Sequence, residues 1–313
     1  MSIAFGPVPS RRLGRSLGIN NIPPKSCSYS CLYCQVGATQ GTTILPQEFY
    51  QPETIQESVK TQLEKVRGQQ LAVDYLTFVP DGEPGLDSNL AETIELLRPM
   101  GIPIAIISNA SLLWREEVRS AMCLADWVSV KVDTVEESTW KTLNRPDKSL
   151  RLADVLEGIR HFADQFSGTL VSETMLVEGI NDNQDCLEDV AEYIHELGVD
   201  KAYLSIPIRP PAEAGIRGPE EKVLNSAYQV LAKRLPQVEY LIGYEGDAVT
   251  YTGDIQHDLL SITAVHPLRK SAVQSLLDQA ETGWQVVDEL VAEGKLVETE
   301  YQGKCFYLRR KSK

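Results

Sequence analysis

The sequence predicts an α/β fold, a partial (β/α)6 barrel of the TIM type that is followed by a small C-terminal winged-helix module. Two observations predict it. Between residues 13 and 242, apolar runs typical of buried strands alternate with segments of helical period. From about residue 259, the pattern changes to three short helices and a hairpin. We therefore expect the barrel in residues 1–258 and the module in residues 259–313.

Predicted strands and helices alternate strictly along the barrel. Apart from its first strand, the segment up to about residue 50 is expected to be loop-rich. The predicted strands are 13–19, 73–79, 102–107, 127–132, 169–177, 201–206 and 238–242. The predicted helices between them are 52–67, 90–97, 114–124, 152–166, 185–197 and 219–235. Strands separated by single helices are joined by right-handed crossovers into a parallel sheet. About six such units are too few for a closed eight-stranded barrel, so we expect an open one with its site at the C-terminal ends of the strands.

The predicted module differs from the barrel in having no parallel crossovers. Its helices are expected at 259–265, 269–278 and 284–293, and its two strands at 296–301 and 304–308. Gln302-Gly303 supplies the turn between the strands. Three helices followed by a hairpin within about 55 residues are typical of a winged-helix module.

Composition excludes several function classes. Hydrophobic residues make up 42% of the 313 residues and charged residues 24%, as in an ordinary globular protein. The 30 basic and 44 acidic residues give a net charge of −14, which disfavours generic binding of polyanions. No apolar run approaches the roughly 20 residues of a membrane span, and the start lacks the pattern of a signal peptide. We expect a cytoplasmic protein without a membrane partner.

Three of the six cysteines lie close together, at Cys27, Cys31 and Cys34, in the loop after the first predicted strand. A disulfide framework is not expected in a large cytosolic chain, so this spacing indicates a metal centre. A zinc site or a ferredoxin cluster would need a fourth ligand, yet no further Cys occurs before Cys123 and no His before His161. Three thiolates on a four-iron cluster would leave one iron open. A structural zinc loop remains the alternative.

The segment Lys25-Ser26-Cys27-Ser28-Tyr29-Ser30-Cys31-Leu32-Tyr33-Cys34 resembles the signature of radical S-adenosylmethionine (SAM) enzymes, including the aromatic Tyr33 before the third cysteine. The resemblance implies a [4Fe-4S] cluster on the three cysteines, with SAM chelating the open iron. It also implies reductive cleavage of SAM to methionine and a 5′-deoxyadenosyl radical, which abstracts hydrogen from a substrate. The protein's share of such chemistry is positioning and shielding.

Two further segments resemble SAM-binding motifs of that family. Asp81-Gly82-Glu83-Pro84 follows the second predicted strand, as the family's Gly-Gly-Glu-Pro motif does, and departs from it at Asp81. The resemblance implies that Gly82, Glu83 and Pro84 meet the SAM amino group. Ser108-Asn109 ends the third predicted strand, where the family places polar SAM contacts. An ordinary loop is the alternative for the first segment, and a helix N-cap is the alternative for Asn109.

Charged residues on predicted buried strands indicate a polar barrel mouth. Lys131 and Asp133 share one face of the fourth predicted strand by the period of two. Glu173 in the fifth strand and Arg209 after the sixth are placed similarly. Because buried charges need a wet cavity or a partner, we interpret these four as candidate catalytic residues. Mutual salt bridges are the alternative.

The closest resemblance is to radical SAM proteins related to the enzyme that builds the tricyclic wyosine base on tRNA. It rests on the segments Gly6-Pro7-Val8-Pro9-Ser10-Arg11-Arg12, Glu173-Thr174-Met175-Leu176-Val177, Arg209-Pro210-Pro211-Ala212-Glu213 and Thr263-Ala264-Val265-His266-Pro267. A tRNA substrate is therefore one hypothesis, which the net charge disfavours. Many members of this branch have no assigned substrate.

The resemblance also implies a separate electron donor, a flavodoxin or a ferredoxin. Residues 1–47 contain Arg11, Arg12, Arg15 and Lys25 and no acidic residue, so this segment is expected either to dock the acidic donor or to balance charge in the active site. An iron-sulfur regulator that binds DNA is the alternative from another class. It is disfavoured because the predicted helix 284–293 carries three acidic residues and no Lys or Arg.

Overall fold

The computed structural model describes residues 3–39, 41–243 and 249–310. Its main sheet has eight strands in sequence order and curls into a half barrel. The strands are β1 (Ala4–Ser10), β2 (Gly14–Ile19), β3 (Tyr75–Phe78), β4 (Ile104–Ser108), β5 (Trp127–Lys131), β6 (Thr169–Met175), β7 (Lys201–Ser205) and β8 (Val238–Leu241). Strands β2 to β8 run parallel, which confirms the predicted α/β partial barrel.

The helices that connect the strands cover the outer face of the sheet. They are α1 (Pro52–Gly68), α2 (Leu90–Leu97), α3 (Glu116–Met122), α4 (Glu137–Leu143), α5 (Leu152–Gln165), α6 (Gln184–Leu197) and α7 (Glu221–Ala232). Helix α1 shows why they form: Ile55, Val59 and Leu63 recur at helical spacing and are buried, and Pro52 occupies the first turn. None of the described helices is long and apolar enough to cross a membrane.

One strand and one α-helix of the barrel escaped the sequence analysis. Strand β1, in the region expected to be loop, pairs antiparallel with β2 and has a register shift between Phe5 and Val8. Its Pro7 and Pro9 argue against a strand, and only an edge position such as this one tolerates them. Helix α4 is seven residues long, too short for its period to stand out.

The last part of the chain contains α8 (Ile255–Val265), β9 (Leu268–Arg269), α9 (Lys270–Gln279), α10 (Gln285–Ala292), β10 (Leu296–Tyr301) and β11 (Lys304–Arg309). The three predicted helices and the hairpin are therefore present, and β9 adds a short third strand beside β11. The predicted boundary near residue 258 falls within α8. Both the domain division and the winged-helix assignment stay predictions.

Three apolar clusters position the site. The largest lies between the sheet and its helices. A second joins Phe5 of β1 to the helices of the last part of the chain, which therefore packs on the β1 edge. A third lies inside the half barrel and includes Leu13, Trp127 and Val171. Because Leu13 precedes β2 and Trp127 begins β5, this cluster fills the interior towards the N-terminal ends of the strands. The open space is left at the C-terminal ends.

Candidate active site

A cavity of about 330 Å³ opens inside the half barrel. Most of the residues predicted for the site line it, and they are Cys27, Cys31, Tyr33, Cys34, Gly82, Asn109, Lys131, Glu173 and Arg209. The remaining predicted residues, Glu83, Pro84, Ser108 and Asp133, are not among its lining residues. Their contacts show that three of them hold lining residues in place.

The cysteine loop and the Asp81–Pro84 segment form one backbone unit. Ser26 bridges to Gly82, and the Glu83 N–H donates to the Ser26 carbonyl at 2.9 Å. The Lys25 N–H donates to the Asp81 carbonyl at 2.7 Å. A Cβ at Gly82 would lie 1.9 Å from the Ser26 oxygen, so only glycine allows this approach. The two motifs therefore depend on each other for their geometry.

Asp81, the departure from the Gly-Gly-Glu-Pro pattern, uses its side chain within the same unit. Its buried carboxylate lies 3.3 Å from the Lys25 ammonium. Lys25 Nζ also donates to the Gly37 carbonyl at 2.7 Å. The ion pair and this hydrogen bond therefore link the end of β3 to the segments that precede and follow the three cysteines.

The three site cysteines are free thiols beside the cavity. Burial raises the pKa of Cys27 above its ordinary range and that of Cys31 to about 12. Thiols in such a place become thiolates only when a metal centre supplies positive charge. Among the described residues, no group of three or more His, Cys, Asp or Glu side chains is already placed to hold a metal ion.

Glu83 is fully buried and links the ends of two neighbouring strands. One carboxylate oxygen accepts from Gly85 N at 3.0 Å and Ser108 Oγ at 2.7 Å, and the other accepts from Asn109 N at 2.8 Å. Burial raises the pKa of Glu83 to about 7, and these neutral donors only partly oppose the shift. Glu83 and Ser108 therefore hold Asn109 at the cavity. Pro84 begins a buried 3₁₀ turn.

Asn109 does not cap a helix, because α3 begins at Glu116 with Arg115 at its N-cap. Its Oδ1 instead accepts from Ser111 N at 2.9 Å, which fixes the orientation of the amide. Its Nδ2 then points to Ser28 Oγ at 3.0 Å and to Cys27 Sγ at 3.5 Å.

Another part of the cavity wall is ionic. Glu173 accepts from Lys131 Nζ at 3.0 Å, from Arg12 and from Ser205 Oγ at 2.9 Å. Burial disfavours the Glu173 carboxylate, but the charges of Lys131 and Arg12 outweigh burial and hold its pKa well below its usual range. The alternative of mutual salt bridges is thus observed, and the paired groups also line the cavity.

Asp133 lies behind this wall. One carboxylate oxygen accepts from Met175 N at 2.8 Å, and the other accepts from Tyr33 Oη and from Asn144 Nδ2 at 2.8 Å. The Lys131 ammonium lies 5.0 Å from the centre of the Tyr33 ring. Asp133 therefore orients the aromatic residue that precedes the third cysteine.

The last part of the chain covers one side of the cavity. Gln35, next to Cys34, donates to the Val265 carbonyl at 3.0 Å. Arg209 donates to Gln35 Oε1 at 3.1 Å and contacts His266 Nε2 at 3.0 Å. Burial, together with the Arg209 charge, holds the pKa of His266 well below its usual range, so the ring is neutral and accepts from Arg209. Val265 and His266 both line the cavity.

The basic residues near the start do not form one surface. Arg11, Arg12 and Lys25 line the cavity, and Arg12 and Lys25 pair with Glu173 and Asp81. Arg11 donates to the Tyr240 carbonyl of β8 across the open edge of the half barrel. Arg15 pairs with Asp74 at 3.6 Å on the surface.

Sequence reasoning missed Gln35, Asn144 and His266 as site residues and did not separate Arg12 from its basic neighbours. His266 lies in the segment Thr263–Pro267 on which the resemblance rests, but only tertiary packing brings it to the cavity and Asn144 to Cys31 and Asp133. Arg12 lies in the turn of the hairpin that was not predicted.

Comparison with known proteins agrees with this geometry. Residues 21–194 match the family model of the Radical SAM superfamily. A UPF0026 protein of Methanocaldococcus jannaschii is 45% identical over 311 residues, covering 99% of this chain and 96% of that protein. The crystal structure of a radical SAM methyltransferase from Sphaerobacter thermophilus superposes with a TM-score of 0.56 at 15% identity, covering 72% of this chain and 66% of that one. The structure of TYW1 with a lysine-pyruvate adduct bound also gives 0.56, at 14% identity, covering 70% and 73%. These two structures share the fold with this chain.

Proposed function

The chain belongs to the radical SAM superfamily and is an enzyme, and we propose that it holds a [4Fe-4S] cluster on Cys27, Cys31 and Cys34. When bound, the cluster and SAM would supply one-electron cleavage of the sulfonium to methionine and a 5′-deoxyadenosyl radical, which takes hydrogen from the substrate. One observation carries the proposal. The three cysteines share a single cavity with the Gly82 backbone and the ionic wall, at the C-terminal ends of the parallel strands.

We assign the remaining residues by their place around the cavity. Gly82 lines the cavity, where its backbone would meet SAM, with Glu83, Pro84 and Ser108 supporting this edge behind it. Asn109 and Tyr33 lie beside the cysteines, where they would contact the cofactors. Lys131, Glu173 and Arg209 would face the substrate, and Asp133 would act by orienting Tyr33.

Anaerobic reconstitution tests the cluster assignment. Cys27→Ala, Cys31→Ala and Cys34→Ala should each abolish the cluster, measured as iron, sulfide and absorbance, because each removes one of only three nearby thiolates. The matched control is Cys186→Ala. Cys186 lies in α6, is buried against Thr134 and does not line the cavity. Loss of the cluster in the control, or in Cys123→Ala or Cys305→Ala, would show a fourth protein thiolate and contradict the assignment.

The SAM assignment is tested with dithionite as reductant. Reconstituted protein should form 5′-deoxyadenosine slowly without substrate, because the cleavage needs only cluster, electron and SAM. Glu83→Ala should weaken SAM binding while iron content stays near that of the wild type, since the substitution disturbs Asn109 and Gly85 rather than a thiolate. Protein that neither binds nor cleaves SAM would favour the regulator alternative instead.

We further propose that residues 259–313 form the winged-helix module and that it covers the substrate. Val265 and His266 lie against the cavity, and Tyr301 of β10 donates to the Pro207 carbonyl at 3.0 Å. Helix α10 contains Asp288 and Glu289 and no Lys or Arg, which suits a covering role better than DNA recognition.

A second candidate function is modification of tRNA, which the fold shared with TYW1 favours. The net charge of −14 and the cover over the cavity both oppose entry of a folded RNA. Comparison of RNA nucleosides and metabolites between a deletion strain and its parent separates the two. Loss of a modified nucleoside would support the RNA substrate, and accumulation of a small metabolite would oppose it.

A further inference from the structure

Two side-chain amides contact the sulfur atoms of the proposed cluster ligands. Asn109 Nδ2 lies 3.5 Å from Cys27 Sγ, and Asn144 Nδ2 lies 3.5 Å from Cys31 Sγ. The two asparagines come from different parts of the chain, one after β4 and the other at the C-cap of α4. No described hydrogen bond in residues 3–39, 41–243 and 249–310 reaches Cys34 Sγ, so the donors serve two of the three thiols.

The surroundings of each amide fix which end faces the sulfur. Asn109 Oδ1 accepts from the Ser111 N–H, and a backbone N–H can only donate, so the amide nitrogen must face Cys27. Its two hydrogens match its two acceptors, Ser28 Oγ and Cys27 Sγ.

Asn144 is fixed by a carboxylate. Its Nδ2 donates to Asp133 Oδ2 at 2.8 Å, and an ionised carboxylate can only accept. The second hydrogen lies between Cys31 Sγ and Tyr33 Oη, the latter at 3.2 Å. The backbone also keeps Asn144 beside the cysteine loop, because the Asn144 carbonyl accepts from Ser30 N at 3.1 Å.

We infer that Asn109 and Asn144 are positioning residues that raise the reduction potential of the cluster by donating N–H···S hydrogen bonds to Cys27 and Cys31. The inference rests on the proposed cluster. The reduced cluster carries one more negative charge, which spreads onto its sulfur ligands. A hydrogen-bond donor on a ligand sulfur therefore stabilises the reduced form more than the oxidised form. The chain thus eases the electron transfer that its proposed reaction needs.

The test is an EPR-monitored redox titration of the reconstituted protein without SAM, so no enzymatic activity enters the measurement. Asn109→Leu and Asn144→Leu keep the side-chain size and remove the donor. At a fixed applied potential, each should lower the ratio of reduced to oxidised cluster about threefold. The double variant should lower it about tenfold, which is about 59 mV for a one-electron couple.

Asn181→Leu is the matched control. Asn181 is buried and donates to the carbonyls of Asp133 and Met175, both at 2.8 Å, but contacts no cysteine. Its variant should keep the wild-type potential. Unchanged potentials in the Asn109 and Asn144 variants with full iron content, or an equal shift in the control, would overturn the inference. Wild-type protein that assembles no cluster would overturn the proposed function as well.

A measurement on the wild-type protein covers the case in which a variant does not assemble the cluster. Electron-nuclear double resonance of the reduced cluster, in protein labelled with ¹⁵N only at asparagine amides, should detect nitrogen coupling through the N–H···S contacts. Absence of any coupling would overturn the inference without recourse to substitution.

Discussion

Two buried glutamates of the barrel lie in chemically opposite regions. Glu83, after β3, accepts only from neutral donors, and burial raises its pKa to about 7. Glu173, in β6, is also buried, but Lys131 and Arg12 hold its pKa well below the usual range. The penalty for burying a carboxylate is present in both regions. The difference shows that adjacent cations, rather than burial, decide which side of the cavity stays charged.

The contrast has a consequence for the proposed chemistry. The neutral region joins the cysteine loop to β4 and places Asn109, and it can hold a proton near neutral pH. The ionic region presents fixed charges to the cavity. In a site divided in this way, Glu83, which would help to position the cofactors, is separate from the charged residues around Glu173, which would bind the substrate.

The largest effect is expected from Glu173→Gln. The change leaves Arg12 and Lys131, two largely but not fully buried cations, without their shared carboxylate, which should lower the free energy of unfolding by about 3–5 kcal/mol. Urea unfolding at pH 7 measures it. The control is Glu239→Gln, because Glu239 also pairs with a lysine, Lys201 at 2.6 Å, but lies more than half exposed. A loss no greater than that of the control would mean that the cations of the ionic region are solvated, and the contrast would fail.

The next effect is a pH dependence of opposite sign in the two regions. The folded-state pKa of Glu83, about 7, lies above its ordinary 4.5. Its contribution to stability is therefore fully present below pH 4.5 and lost as the pH rises through 7, by about 3 kcal/mol. Glu173 has a lowered pKa, so its contribution is present above pH 4.5 and lost as the pH falls.

Unfolding free energies of the wild type, Glu83→Gln and Glu173→Gln between pH 4 and 8 test the signs. The advantage of the wild type over Glu83→Gln should shrink as the pH rises. Its advantage over Glu173→Gln should instead stay constant above about pH 5 and shrink as the pH falls below that. Parallel curves for the two variants would show that both carboxylates titrate alike.

The sequence analysis anticipated these two regions unequally. Period-two alternation on buried strands was enough to place Lys131 and Glu173 inside the barrel, because a parallel sheet gives such side chains no other environment. Glu83 was found by its motif, but its enclosure by Ser108 and Gly85 depends on how two strand ends meet. Arg12 reaches Glu173 across 161 positions of sequence from a hairpin whose prolines concealed it. Local pattern carries no information about such a contact.

The smallest effect is expected from Arg15, which lies on the surface and does not line the cavity. Arg15 lies near the start of β2, whereas the cysteine loop follows its end, roughly 16 Å away along a six-residue strand. An electron donor bound there would be far from the cysteines, and Arg15 is already paired with Asp74. Arg15→Gln should therefore change SAM cleavage less than about twofold with either dithionite or flavodoxin as reductant.

Arg12→Gln should instead change cleavage equally with both reductants, because Arg12 belongs to the ionic region of the cavity. Dithionite needs no docking surface, so it separates the two roles. A loss in Arg15→Gln that occurs only with flavodoxin and disappears at high salt would place the donor on this face after all. It would also show that neighbouring positions of one hairpin supply charge both to the ionic region and to the outer surface.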